Sequence, residues 1–142
     1  MSRASFLAFL SFLMTVAVQP LMAQSTWDGA PDGGGVSPNG NWNTGVNWGG
    51  DVAPVDGFPF LNLTFAGTTN LATINNLPAT SGGTNIDSIV FAPGAGSFTL
   101  SAGSTPSLDM LGLSSNTTDS SHIINNSASS QTINIPLIIR GD

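Results

Sequence analysis

Residues 86–103 read "IDSIVFAPGAGSFTLSAG". Ile89 and Phe91 are separated by one residue, so in an extended strand both side chains point to the same face. Pro93, Gly94, Ala95 and Gly96 then supply turn residues, and a second short run follows at 97–101. The stretch reads as strand, turn, strand, and the same grammar extends on both sides of it.

From residue 59 onward, short strands are predicted at 60–65, 72–77, 86–91, 97–101, 108–113, 122–125 and 132–139. Clusters of Gly, Ser, Asn and Ala separate them, such as Ala66-Gly67-Thr68, Ser81-Gly82-Gly83, Ser114-Ser115-Asn116 and Ser127-Ala128-Ser129-Ser130. The pair Ile89 and Phe91 is followed 22 residues later by Leu111 and Leu113, and 22 residues later again by Ile133 and Ile135. A second series runs from Leu100 to Ile123, an interval of 23. A coil of a parallel β-helix takes roughly 20–25 residues, so such spacing would bring these positions into apolar ladders. Asn116 and Asn126, at the corners, would bond turn backbone through their short side chains. An antiparallel β-sandwich, with strands every 8–12 residues, produces much the same list. Periodicity leaves both architectures open.

Composition supports an all-β chain. The 142 residues include no Glu, no Lys and no Cys, and the net charge is −6. The helix formers Glu, Lys and Arg are nearly absent, while Ile, Leu, Val and Phe recur in bursts that disorder alone would not produce. The negative balance argues against nucleic acid and anionic membranes as partners. Residues 1–23 have the order of a secretory signal: Arg3, an uncharged apolar run at 6–18, a break at Gln19-Pro20, then Leu21-Met22-Ala23. The apolar run would span roughly 20 Å as a helix, short of a roughly 30 Å hydrocarbon core. Cleavage after Ala23 is expected, with Leu21 larger than signal peptidase prefers. The exported chain would then hold together without disulfides.

All three tryptophans lie in the segment "TWDGAPDGGGVSPNGNWNTGVNWGG", residues 26–50. The order is Trp27-Asp28-Gly29, a Gly/Pro spacer, Gly40-Asn41-Trp42, Val46-Asn47-Trp48 and Val52-Ala53-Pro54. Here the chain resembles bacterial autotransporter passenger proteins built from autotransporter-associated β-strand repeats, and the related exported repeat proteins that end in a PEP-CTERM sorting signal. Residues 86–103 and "IINNSASSQTINIPLIIRGD" (123–142) resemble the repeat itself, with its I-x-x-I-x-F run, G-x-F-x-L hairpin and Q-T-I-x-x-P-L core. The resemblance implies a right-handed parallel β-helix at the cell surface, associated with the outer membrane, or released from it. Residues 24–58 would form a Trp-rich N-terminal cap and residues 59–142 the repeat coils. Trp27, Trp42 and Trp48 would cover the first coil, whose core has nothing above it. In the alternative, a carbohydrate-binding module, the same rings would be exposed and stack on sugars, with Asp28, Asn41 and Asn47 as polar partners. Autotransporters end in a membrane barrel and sorted relatives in a Pro-Glu-Pro tail. Residues 123–142 carry neither, so the chain is expected to be an N-terminal fragment or a short product that self-associates through an open last coil.

No catalytic apparatus is legible. His122 is the one histidine, on a predicted strand where a solvent-facing role is expected, and Ser is too common to mark a nucleophile. One His and no Cys argue against a zinc site, and no calcium loop or phosphate-binding Gly loop is present: Gly33-Gly34-Gly35 lacks a following Lys. Asp28 with Asp32, and Asp51 with Asp56, are close in sequence but lie in turn-rich segments. Sequons begin at Asn62, Asn116 and Asn125, and the last three residues form Arg140-Gly141-Asp142, expected to follow a strand. The expectation is an exported, non-enzymatic structural or adhesive module without cofactor or metal, contacting surface or matrix glycans or proteins.

Overall fold

The computed structural model describes residues 24–29, 39–57, 60–79, 82–113 and 122–141. The predicted signal segment 1–23 lies outside them, as do Asp32, the Gly33–Gly35 run, Asn116 and Asp142. Among the described residues nine strands form: β1 Gln24–Trp27, β2 Leu61–Phe65, β3 Ala72–Asn75, β4 Thr84–Phe91, β5 Thr99–Ala102, β6 Leu108–Leu113, β7 His122–Asn125, β8 Thr132–Asn134 and β9 Leu137–Gly141. One 3-10 turn, Gly45–Asn47, accompanies them. The chain is all-β, and the strands pair in parallel.

Two sheets result. One has the order β1-β2-β4-β6-β9, with β7 also on β4; the other has the order β3-β5-β8. Chain direction explains the parallel pairing. After β2 the chain crosses to β3 in the other sheet before returning to β4, so neighbours within a sheet are never joined by a hairpin. The antiparallel sandwich that also fits the strand list is therefore not what forms. Nor does the segment 96–100 make a hairpin. Ala95 N–H donates to the Ala92 carbonyl at 3.0 Å, and this turn carries the chain from β4 to β5 in the opposite sheet.

Alternation decides which side chains enter the core. In β2, Leu61, Leu63 and Phe65 are buried, with Asn62 and Thr64 half-buried between them. β4 is buried along most of its length, as a central parallel strand covered on both faces should be. Registry places like on like: Leu63 pairs with Ile89, Phe65 with Phe91, Ile89 with Ile123 and Leu100 with Ile133. Phe65 and Phe91 are stacked, centroids 5.6 Å apart, and Phe98 closes against both.

The 22-residue ladder is corrected. Ile89 sits over Leu63, 26 residues back, and under Ile123, 34 residues on; Leu100 meets Ile133 and not Ile123. The first half of β4 pairs with β6 (Ile86 with Met110) and the second half with β7 (Ser88 with His122). Residues 111–121 thus intervene where only Asp87 does in β4, and the added length defeats a fixed period. The predicted strand at 132–139 is likewise two. It breaks at Ile135-Pro136, where proline has no N–H for a ladder and its carbonyl instead accepts from Leu108 N–H at 2.9 Å.

Candidate functional site

The two ends of the sheets are the regions where the sequence placed function, and they are built differently. At the first end, the edges of both sheets are covered by residues 40–49. Along β1, Gly49 N–H donates to the Thr26 carbonyl at 2.7 Å, Asp28 N–H donates to Asn47, and Trp27 bridges Trp48 antiparallel. Along β3, Trp42 N–H donates to the Ile74 carbonyl at 3.0 Å, and Ile74 N–H to the Gly40 carbonyl at 2.8 Å. Gly40 is required there. Its φ is +75°, and a Cβ would lie 2.5 Å from the Ala72 carbonyl oxygen.

Trp27, Trp42 and Trp48 are fully buried beneath this segment. Trp48 meets Trp27 and Trp42 edge to face, with centroids 5.2 and 6.3 Å away, and all three pack on Phe65 at 5.6–6.1 Å. Two indole N–H groups are satisfied. Trp48 Nε1 donates to the Trp42 carbonyl at 2.7 Å, and Trp42 Nε1 to Thr73 Oγ1 at 3.0 Å. Trp27 Nε1 is buried and finds no acceptor among the described residues. No ring offers an open face to a sugar. Of the polar residues expected beside them, Asn47 is itself buried, donating to the Asn41 carbonyl at 2.9 Å and accepting from Asn70 Nδ2 at 3.2 Å. Asn41 and Asp28 are half-buried.

The last end has no such cover among the described residues. Among the described residues β7, β8 and β9 each pair on one side only. Ile123, Ile124, Leu137 and Ile138 are each about two-fifths exposed, and Ile139 is 64% exposed. Arg140, on β9, donates from Nη2 to Asp109 Oδ2 at 2.7 Å, and Asp109 on β6 is buried. Gly83 makes room for that carboxylate, since a Cβ there would lie 2.5 Å from Asp109 Oδ1 and 2.6 Å from Ser107 Oγ. The tripeptide at 140–142 does not follow a strand: Arg140 and Gly141 belong to β9, and Arg140 is engaged by Asp109.

The remaining candidates are dispersed. His122 is exposed on β7 and takes part in an interaction. Asp51 is exposed in a left-handed turn, φ 57°, whereas Asp56 is buried and accepts from Asn85 N–H at 2.8 Å and Asn85 Nδ2 at 3.1 Å. Among the described residues no three His, Cys, Asp or Glu side chains could jointly hold a metal ion, and no helix is long and apolar enough to cross a membrane. Asn62 accepts from Ser88 Oγ within the sheet, and Asn125 bonds the Ser129 carbonyl in an exposed turn. Sequence reasoning missed the Asp56–Asn85 and Asp109–Arg140 pairs. Their partners are about thirty residues apart, and the one local mark was Gly82-Gly83, which reads as an ordinary turn. Comparisons with protein-family models, curated proteins and solved structures find no match.

Proposed function

We propose that the chain is an exported, non-enzymatic β-repeat module in which the two parallel sheets are the faces of a right-handed β-helix closed at its first end by the Trp segment. Its role is structural or adhesive, at the cell surface or released from it, with turns presented at fixed spacing to glycans or proteins of other cells or matrix. The observation that carries the reading is the parallel, in-register pairing of strands within two sheets between which the chain passes repeatedly, with Leu63–Ile89–Ile123 aligned in one and Leu100–Ile133 in the other. Strands of successive coils would stack in this way, each coil burying what its neighbour exposes. The resemblance of residues 26–50, 86–103 and 123–142 to autotransporter-associated repeats and the signal-like order of 1–23 support the same reading.

Export is testable without knowing the ligand. Cells producing the full chain with a C-terminal epitope are fractionated, and the product's N-terminus is sequenced. The expected result is a product beginning at Gln24 that is cleaved by protease added to intact cells or recovered from the medium. A protease-protected cytoplasmic product that retains residues 1–23 would overturn the reading.

A further inference from the structure

Asn39 is the only asparagine of the chain that is followed by glycine. The cap uses both members of the pair. Gly40 has a φ of +75°, and a Cβ on it would lie 2.5 Å from the Ala72 carbonyl oxygen, so a side chain has no room there. Asn39 opens the cap. Its Oδ1 accepts from Asn41 N–H at 3.0 Å and from Thr44 Oγ1 at 3.0 Å, a bridge that a short side-chain amide makes readily.

The same features make the pair reactive. A backbone nitrogen can attack the side-chain carbonyl carbon of the asparagine before it and close a five-membered imide. A side chain on the attacking residue hinders that approach, and glycine has none. The turn folds the Asn39 side chain back over the main chain that follows, so the reacting groups are already gathered. The two donors on Oδ1 polarise its carbonyl and lie where negative charge develops as the nitrogen adds. Among the described residues neither Asn39 Nδ2, the leaving group, nor Gly40 N–H, the attacking group, donates a hydrogen bond. Asn39 is exposed, so water reaches it.

We propose that Asn39-Gly40 is a site of self-modification, at which the folded chain converts Asn39 to a succinimide and then to aspartate or isoaspartate, with the Thr44 hydroxyl assisting. Gly40 N loses its proton to water and bonds to Asn39 Cγ. The Cγ–Nδ2 bond then breaks, and Nδ2 takes up a proton and leaves as ammonia. Water next adds to one of the two imide carbonyls and breaks that carbon's bond to Gly40 N. Addition at Cγ gives aspartate; addition at the backbone carbon gives isoaspartate, whose main chain runs through Cβ and Cγ and is longer by one carbon. That carbon enters directly before Gly40, whose carbonyl accepts from Ile74 N–H at 2.8 Å while Trp42 N–H donates to the Ile74 carbonyl at 3.0 Å. Isoaspartate therefore displaces the registry of the cap on β3 and loosens the closed end. The proposal stands independently of where the chain is displayed.

The full chain, purified, is held at neutral pH and physiological temperature and sampled over days. Each sample is digested with pepsin in acid, and electron-transfer fragmentation in the mass spectrometer separates isoaspartate from aspartate. Position 39 is expected to convert several-fold faster than any other asparagine. Thr44→Val should slow that conversion several-fold, and Thr44→Ser, which keeps the hydroxyl, should restore the wild-type rate, with far-UV circular dichroism as the folding control. Hydrogen exchange on the aged protein should show protection lost at Trp42 and Ile74 and retained in β6. An Asn39 that survives as long as the other asparagines, a folded Thr44→Val that converts at the wild-type rate, or unchanged protection at Ile74 in the isoaspartyl chain would each overturn the proposal.

Discussion

At the first end of the sheets, residues 40–49 bend back over β1 and β3, bond their edges and press three indoles onto Phe65. At the last end, β7, β8 and β9 continue the same parallel registry, and among the described residues no strand pairs with their outer edges. The sheets themselves do not differ, because the registry that joins β2 to β4 also joins β4 to β7. The ends differ in what lies across them. A parallel sheet grows by adding strands and has no intrinsic stopping point, so termination needs a separate device. Here that device is a Gly- and Asn-rich segment. Glycine lets it turn sharply, asparagine bonds its own backbone, and tryptophan supplies large apolar area at few points of attachment.

The largest test of this contrast is to remove an indole from the closed end. Trp48 holds Trp27 and Trp42 edge to face and bonds the Trp42 carbonyl. Trp48→Ala should cost about 3–5 kcal/mol, the range for truncating a large buried aromatic. That is a large part of the 5–15 kcal/mol typical of a whole domain. The measurement is urea unfolding followed by far-UV circular dichroism. Loss of under about 1 kcal/mol would mean that residues 40–49 lie on the sheets without stabilising them.

A finer test stays within the cap. Trp42→Phe removes the bond to Thr73, leaving a buried hydroxyl without its donor, and should cost about 1–3 kcal/mol beyond the lost volume. Trp27→Phe removes a donor that has no acceptor among the described residues, so relief of that burden offsets part of the lost volume. The prediction is an order: Trp42→Phe less stable than Trp27→Phe in the same unfolding experiment. The reverse order would show that Trp27 Nε1 is satisfied in solution.

Much of this arrangement was legible before any coordinates, though unevenly. β6 and β7 form where flanking turn residues place them, and β2 shows the alternation that its sequence reads. Alternation is a property of the strand itself, so neighbours in sequence suffice to reveal it. Registry is different. It depends on how much chain is used in each crossing, and the stretch between Met110 and His122 makes that amount unequal, which is why the regular interval of 22 failed. The clustering of tryptophans marked the first end, yet nothing in "NWNTGVNW" says that its backbone bonds the edges of two sheets. β1 was missed for the same reason. Its four residues contain one large apolar side chain, and pairing with β2, not alternation, makes them a strand. The Asp109–Arg140 pair joins two strands that only the completed registry brings together.

That pair gives a smaller test, at the open end. Arg140→Ala leaves the buried Asp109 carboxylate without its cation. A fully buried pair broken in this way costs several kcal/mol, but Arg140 is 54% exposed and water reaches its side of the pair. About 1–2 kcal/mol is expected, between the solvated and buried limits. Amide hydrogen exchange should locate the effect, with faster exchange in β9 and β6 and unchanged protection in β1 and β2. Uniform acceleration would mean that the two ends unfold as one cooperative unit.

The smallest effect is the most discriminating for the open end. Ile139 is mostly solvated within one chain, so Ile139→Ala should change the stability of the dilute protein by no more than about 0.5 kcal/mol. The same truncation at Trp48 is costly at any concentration, because its contacts lie inside the chain. If a second copy covers β9, the stability of the wild type rises with protein concentration, as binding to the folded state requires, and that of Ile139→Ala rises less. Denaturation midpoints at two well-separated concentrations therefore distinguish an end closed from within from an end closed by a partner. A wild-type midpoint independent of concentration would mean that the registry of β9 with β6 and the Asp109–Arg140 pair are enough to hold the strand.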